Sequence, residues 1–133
     1  MFTLHPQLQA DTTLIKKLEV SQVLLARDSR YPWVILVPEV ENAVELHLLE
    51  TDTYRTVSDE IRFVADRLYQ HFQPQKINIG ALGNMVPQLH IHIVARWQTD
   101  EAWPGPIWGV GEAKPYPDQE IMAKTEDFRN ILK

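Results

Sequence analysis

NMVPQLHIHIVARW, residues 84 to 97, is the stretch on which the fold turns. Apolar residues alternate with polar ones from Gln88 to Trp97, and this spacing predicts a strand. Successive side chains on a strand point to opposite faces. Gln88, His90, His92, Val94 and Arg96 then share one face, and Leu89, Ile91, Ile93, Ala95 and Trp97 share the other. The second face is apolar throughout and calls for a helix to cover it. The first presents Gln88, His90 and His92 in a row, roughly 7 Å apart at Cα. Such a row must meet water, a ligand or polar partners, because each unpaired buried group costs ~1–3 kcal/mol.

The covering helix lies upstream. Ile61, Val64, Ala65, Leu68 and Phe72 recur at three- and four-residue spacing, which predicts a helix from Asp52 or Thr53 to Phe72, with Pro74 beyond its end. KINIGALG, residues 76 to 83, alternates as a strand and then turns glycine-rich before the histidines. Nearer the N-terminus, strands are expected from Leu14 to Leu18, from Ser21 to Arg27 and from Trp33 to Val37. The last of these is nearly continuous apolar sequence, as in a strand buried on both faces. After Arg96 the composition shifts to irregular Pro, Gly and Trp, which predicts an extended tail. A helix over Asp118 to Leu132 closes the chain, with Ile121, Met122, Phe128, Ile131 and Leu132 expected on its inner side. The order favours α+β, with an antiparallel sheet of about five strands, one long helix and a C-terminal helix. Residues 1–133 are read as a single domain, with a core at about 14–97 and a tail with helix at 98–133.

Composition narrows the function. The chain of 133 residues has no cysteine, which removes disulfides, thiolate metal sites and cysteine nucleophiles and suits a reducing cytoplasm, the expected location. A net charge of −5 argues against nucleic-acid binding. No apolar run reaches the ~20 residues of a membrane span, and the N-terminus lacks the pattern of a signal peptide.

Histidine combines two distinct ring nitrogens with a pKa near neutrality. One imidazole can attack phosphorus through one nitrogen while the other nitrogen holds a hydrogen bond. A second imidazole can donate to a phosphate oxygen. The preceding GALGNMVP offers backbone N–H groups and the Asn84 amide to the same anion. The pattern suits phosphoryl or nucleotidyl transfer by covalent catalysis.

These residues carry a resemblance. QLHIHIVAR is similar to the signature of the histidine triad (HIT) family, in which three histidines alternate with apolar residues. His90 and His92 match the second and third histidines, and Gln88 stands where the first one normally is. NIGALGNMVPQLHIH resembles the family's upstream run, with Asn78, Gly80, Gly83, Asn84 and Val86 in matching positions. VLLARDSRYPWVILVPE resembles its strand-turn-strand, so the likeness spans about Leu14 to Trp97. It implies a hydrolase or transferase cleaving at the α-phosphate of a nucleoside phosphoramidate or dinucleoside polyphosphate. His90 would be the nucleophile and His92 would steady phosphate oxygens. Asn84, with Gly83 and Asn78, would line the phosphate side, and Asp28 with Arg27 the ribose side. The resemblance implies a homodimer joined through the long helix and a sheet edge, and no cofactor or metal in the chemistry. Gln88 keeps the backbone carbonyl that orients the nucleophile but cannot shuttle a proton.

Blander readings stand beside these. Two histidines on a strand face also suit a solvated edge or a two-histidine metal site. Asn84 suits a turn, Asp28 a turn or cap, and Arg96 a solvated strand end. His5, His47 and His71 read as surface residues, and Trp103, Pro104, Pro106 and Trp108 as packing filler, with cover for the pocket or for a dimer partner as the alternative. A nucleotide-binding protein without turnover is the alternative to the enzyme.

Overall fold

The computed structural model describes residues 1–133. The chain runs α1 (Pro6–Asp11), β1 (Thr12–Lys17), β2 (Ser21–Ala26), β3 (Trp33–Pro38), a short 3-10 turn (Leu46–Leu48), α2 (Thr51–Phe72), β4 (Lys76–Gly80), β5 (Ile91–Arg96) and α3 (Asp118–Ile131). The five strands make one sheet in the order β1-β2-β3-β5-β4, and every pairing is antiparallel. This is the α+β class with the antiparallel five-stranded sheet that the sequence predicts. No helix is long and apolar enough to cross a membrane.

The histidine strand lies between β3 and β4, and His92 sits opposite Ile35 on one side and Gly80 on the other. It is shorter than expected. The ladder begins at Ile91, so His90 stands just outside it and Gln88 does not share its face. The cause is local: the Leu89 N–H donates to the Ala43 carbonyl at 2.9 Å instead of to a neighbouring strand. The alternation beyond that point holds. Leu89, Ile91 and Ile93 join Val57, Val64 and Leu68 of α2 in the main core, together with Leu25, Val34 and Leu36. Burying each such side chain stabilises the fold by about 1.5–3 kcal/mol.

The long helix is capped at both ends. The Glu50 carboxylate accepts from the Asp52 and Thr53 N–H groups, and Gln73 ends the helix in the left-handed conformation at φ 51°. The apolar run of β3 is indeed buried on both faces. Val34 and Leu36 face the main core, while Ile35 and Val37 join Leu8, Leu24 and Ala26 in a second cluster.

Other parts of the fold also depart from expectation. The strand expected from Leu14 to Leu18 starts at Thr12, and a bulge between Leu14 and Lys16 shifts its register. Helix α1 was not expected, because six residues with one buried side chain, Leu8, are too few to show a period. In α3 the inner stripe runs through Ile121, Thr125, Phe128 and Leu132, and this spacing turns Met122 outward, 79% exposed. The tail is not merely extended. Ala102 and Ile107 are buried with Val94 and Tyr31 in a third cluster, so the tail folds back over the sheet.

The tail is held by Arg96, which is 1% exposed rather than solvated. Its guanidinium donates to both Asp100 carboxylate oxygens at 2.7 and 3.0 Å, to the Gly105 carbonyl at 2.8 Å and to Asn78 Oδ1 at 2.7 Å. A guanidinium has five N–H donors, and this arrangement engages it on every side. The Arg96 hydrogen bonds in turn hold the Asp100 carboxyl below its ordinary range.

Candidate functional site

His90 and His92 lie side by side with ring centroids 5.0 Å apart, and each is 7% exposed. Their hydrogen bonds differ in kind. His90 Nδ1 lies 2.7 Å from the Gln88 carbonyl oxygen. A carbonyl only accepts, so Nδ1 carries a proton, and in the neutral ring Nε2 keeps the lone pair. His92 Nδ1 lies 3.0 Å from Trp33 Nε1. An indole N–H only donates, so here Nδ1 holds the lone pair and Nε2 carries the proton. Neither Nε2 has a partner within the protein, and neither is sealed from solvent. The pair therefore presents one nucleophilic nitrogen and one N–H donor. Burial and the neighbouring His90 push His92 down to about 4, so it is neutral at physiological pH.

Both rings border two hollows. The larger, about 840 Å³, is mainly apolar and is walled by Gln7, Leu8 and Ala10 of α1, by Ala26 and Ile35 of the sheet, and by Pro115. The smaller, about 490 Å³, is bordered by Gly83, Asn84 and Gly109. Gly83 has φ +70°, a conformation that disfavours larger residues and lets the loop turn beside the histidines.

The expected site residues do not all gather here. Asn84 and Gly83 line the smaller hollow, and Arg27 lines the larger. Arg27 is exposed and donates to the Thr12 carbonyl at 3.3 Å. Asp28 borders both hollows, but its carboxylate is occupied. It accepts from the Arg30 side chain, the Arg30 N–H and the Lys114 N–H. Burial pushes its carboxyl up, yet those hydrogen bonds outweigh burial and hold it below its ordinary value. Asn78 borders neither hollow and serves as the acceptor for Arg96. The Gln88 side chain also borders neither and bonds the N-terminal segment instead. Only its carbonyl meets the histidines. No set of three or more His, Asp or Glu side chains comes together in a metal-ligating arrangement.

Residues 7–99 match the model of the family described as HIT domain. The chain belongs to the HIT family. Three solved structures of HIT proteins are similar over nearly the whole length. A histidine triad protein of Bradyrhizobium japonicum is 39% identical, with 99% of this chain and 98% of that chain covered and a TM-score of 0.93. One of Sinorhizobium meliloti is 39% identical with the same coverage and a TM-score of 0.94. One of Marinobacter aquaeolei is 38% identical, with 99% and 96% covered and a TM-score of 0.95. No curated protein matches the chain. HIT membership supports a nucleotide-binding or hydrolase function in general.

Two tryptophans border the site, of which Trp33 was missed and Trp108 reads first as packing. Trp33 had a legible signal, since alternation along β3 puts it on the face of Ile35, which pairs with His92. Trp108 comes from the irregular tail, where spacing says nothing about facing. Its ring meets His92 edge-on at 5.2 Å and lines both hollows. Gly80 makes room for it, since a Cβ there would lie 3.2 Å from the Trp108 ring.

Proposed function

We propose that this HIT protein cleaves a nucleoside phosphoramidate or a dinucleoside polyphosphate at the α-phosphorus, through a covalent nucleotidyl-His90. The opposite tautomers of His90 and His92 carry this reading. The His90 Nε2 lone pair attacks phosphorus, and the bond from phosphorus to the leaving nitrogen or oxygen breaks. That bond's electron pair departs with the leaving group, which takes up a proton from solvent. Water then attacks the phosphorus and loses a proton to solvent, the P–N bond breaks with its electron pair returning to His90 Nε2, and the nucleoside monophosphate leaves. The His92 Nε2–H donates to a phosphate oxygen in both steps, where charge builds. The apolar larger hollow suits the nucleoside. The smaller hollow, with Asn84 and the Gly83 backbone, suits phosphate oxygens and the leaving group. Asp28, paired with Arg30, and Arg27 line the larger hollow and suit its ribose side.

We also take residues 1–133 as one working unit, because the tail supplies Trp108 to the site. Pairing as a homodimer is proposed through α2 and the outer edge of β4, where Tyr54, Tyr69 and Ile79 are exposed.

The test is AMP release from adenosine 5′-phosphoramidate and from diadenosine tetraphosphate, with mass detection of a nucleotidyl adduct. His90→Ala should lose both release and adduct. An adduct without turnover would place the block at the second step. Nucleotide binding with neither product nor adduct would replace the enzyme by a nucleotide-binding protein.

A further inference from the structure

Gln88 occupies the position of a triad histidine, yet its side chain is spent elsewhere. The His5 N–H donates to Gln88 Oε1 at 2.8 Å, and Gln88 Nε2 donates to the Thr3 carbonyl at 2.9 Å. These two groups flank Leu4. An amide holds a donor and an acceptor side by side, as a strand peptide does, and so meets both at once. An imidazole carries its two nitrogens on different ring edges and cannot reproduce that pair of bonds.

The segment so gripped leads directly into α1. Leu4 and Phe2 pack on the cluster of Leu8, Leu24, Ile35 and Val37. At its far end α1 is tied by the Thr12 hydroxyl, which donates to the Leu8 carbonyl at 2.6 Å. An isolated helix of this length does not hold itself together in water. Its place therefore depends on those ties, and α1 supplies Gln7, Leu8 and Ala10 to the wall of the larger hollow. Gln88 thus serves two ends: its carbonyl orients His90, and its side chain fixes a wall of the cavity that His90 faces.

We propose that the Gln88 side chain is a positioning residue for the nucleoside end of the substrate, clamping the N-terminal segment that walls the larger hollow. The inference rests on the nucleotide reading given above. Glutamine in the first triad position is then a binding device, and the chemistry at His90 proceeds through the Gln88 main chain alone.

Gln88→Leu removes both clamp bonds. His5→Pro removes one of them without touching residue 88, since His5 has φ −55° and ψ 136°, which proline adopts. His5→Ala keeps the N–H and loses only the imidazole that accepts from Gln7 N. KM and kcat are measured with adenosine 5′-phosphoramidate, AMP binding by calorimetry, and amide exchange over residues 2–8 by NMR. Gln88→Leu and His5→Pro should raise KM and weaken AMP binding roughly tenfold, the scale of one or two neutral hydrogen bonds. Their kcat should stay within about threefold, and exchange over residues 2–8 should quicken. Gln88→His should raise KM with no gain in kcat. The clamp is overturned if Gln88→His raises kcat at unchanged KM, or if Gln88→Leu keeps both KM and amide protection. A His5→Ala loss equal to that of His5→Pro also overturns it, by assigning the effect to the helix cap. Should Gln88→Leu not fold, Gln88→His and His5→Pro carry the test. A wild-type protein that neither hydrolyses nor binds AMP defeats the nucleotide reading, while the exchange measurement still reads the grip on the segment.

Discussion

Protonating His92 should destabilise this protein, and the size of the effect follows from its surroundings. The ring is 7% exposed, and its Nδ1 already accepts from the Trp33 indole at 3.0 Å. A proton added at Nδ1 would face an N–H donor, and the new charge would sit in a buried place beside His90. The folded pKa is pushed from 6.5 down to about 4, with burial as the larger cause and His90 the smaller. A group lowered in this way binds its proton more tightly in the unfolded chain. Stability from this source is complete above pH 6.5 and is lost as the pH falls toward about 4. Between those values, linkage gives a loss of about 2 kcal/mol at pH 5 and about 3 kcal/mol at pH 4.

Urea unfolding of the wild type and of His92→Asn at pH 7.5, 6 and 5 measures this difference. Asparagine offers an acceptor to Trp33 but does not titrate. The window stays above the titration of Asp28 and Asp100, both held below their ordinary range. The wild type should lose about 2 kcal/mol more than the variant between pH 7.5 and 5. Equal slopes would refute the reasoning, as would an NMR titration placing His92 near its unfolded value.

Trp33→Phe keeps an aromatic ring but removes the donor that fixes the His92 tautomer. It should lower kcat of phosphoramidate cleavage about tenfold with little change in KM, and imidazole nitrogen shifts should show His92 in mixed tautomers. Arg96→Ala leaves the buried Asp100 carboxylate without its guanidinium and should cost about 3–5 kcal/mol in chemical denaturation; Arg96→Ala combined with Asp100→Ala should recover part of that loss.

Period and burial made much of this fold readable. The α2 stripe from Ile61 to Phe72 and the unbroken apolar run of β3 each admit one placement, because covering apolar surface dominates the energy. The alternation at Ile91 and Ile93 fixed which side of β5 meets α2. What stayed hidden depends on contacts between segments far apart in the chain. Arg96 reads as a solvated strand end until Asn78, Asp100 and Gly105 are seen around it. Asp28 shows a carboxylate in the sequence, but not that Arg30 and Lys114 donate to its oxygens. A polar residue shows its type in the sequence, whereas its role depends on the partner that reaches it. The tail fared worst, since Pro- and Gly-rich sequence has no period from which to infer that Trp108 comes back to His92.

The same distinction governs the site. A pair of histidines in an alternating strand fixes two imidazoles on one face but leaves open which nitrogen of each is free. A carbonyl settles that question for His90 and an indole N–H settles it the opposite way for His92. The carbonyl belongs to the main chain, so any residue at position 88 carries one, and glutamine there holds the His90 ring through it. The indole belongs to a side chain, so His92 depends on the identity of residue 33. Substitutions at position 88 should therefore disturb the His90 lone pair less than a substitution at Trp33 disturbs the His92 donor, although Trp33 lies outside the motif.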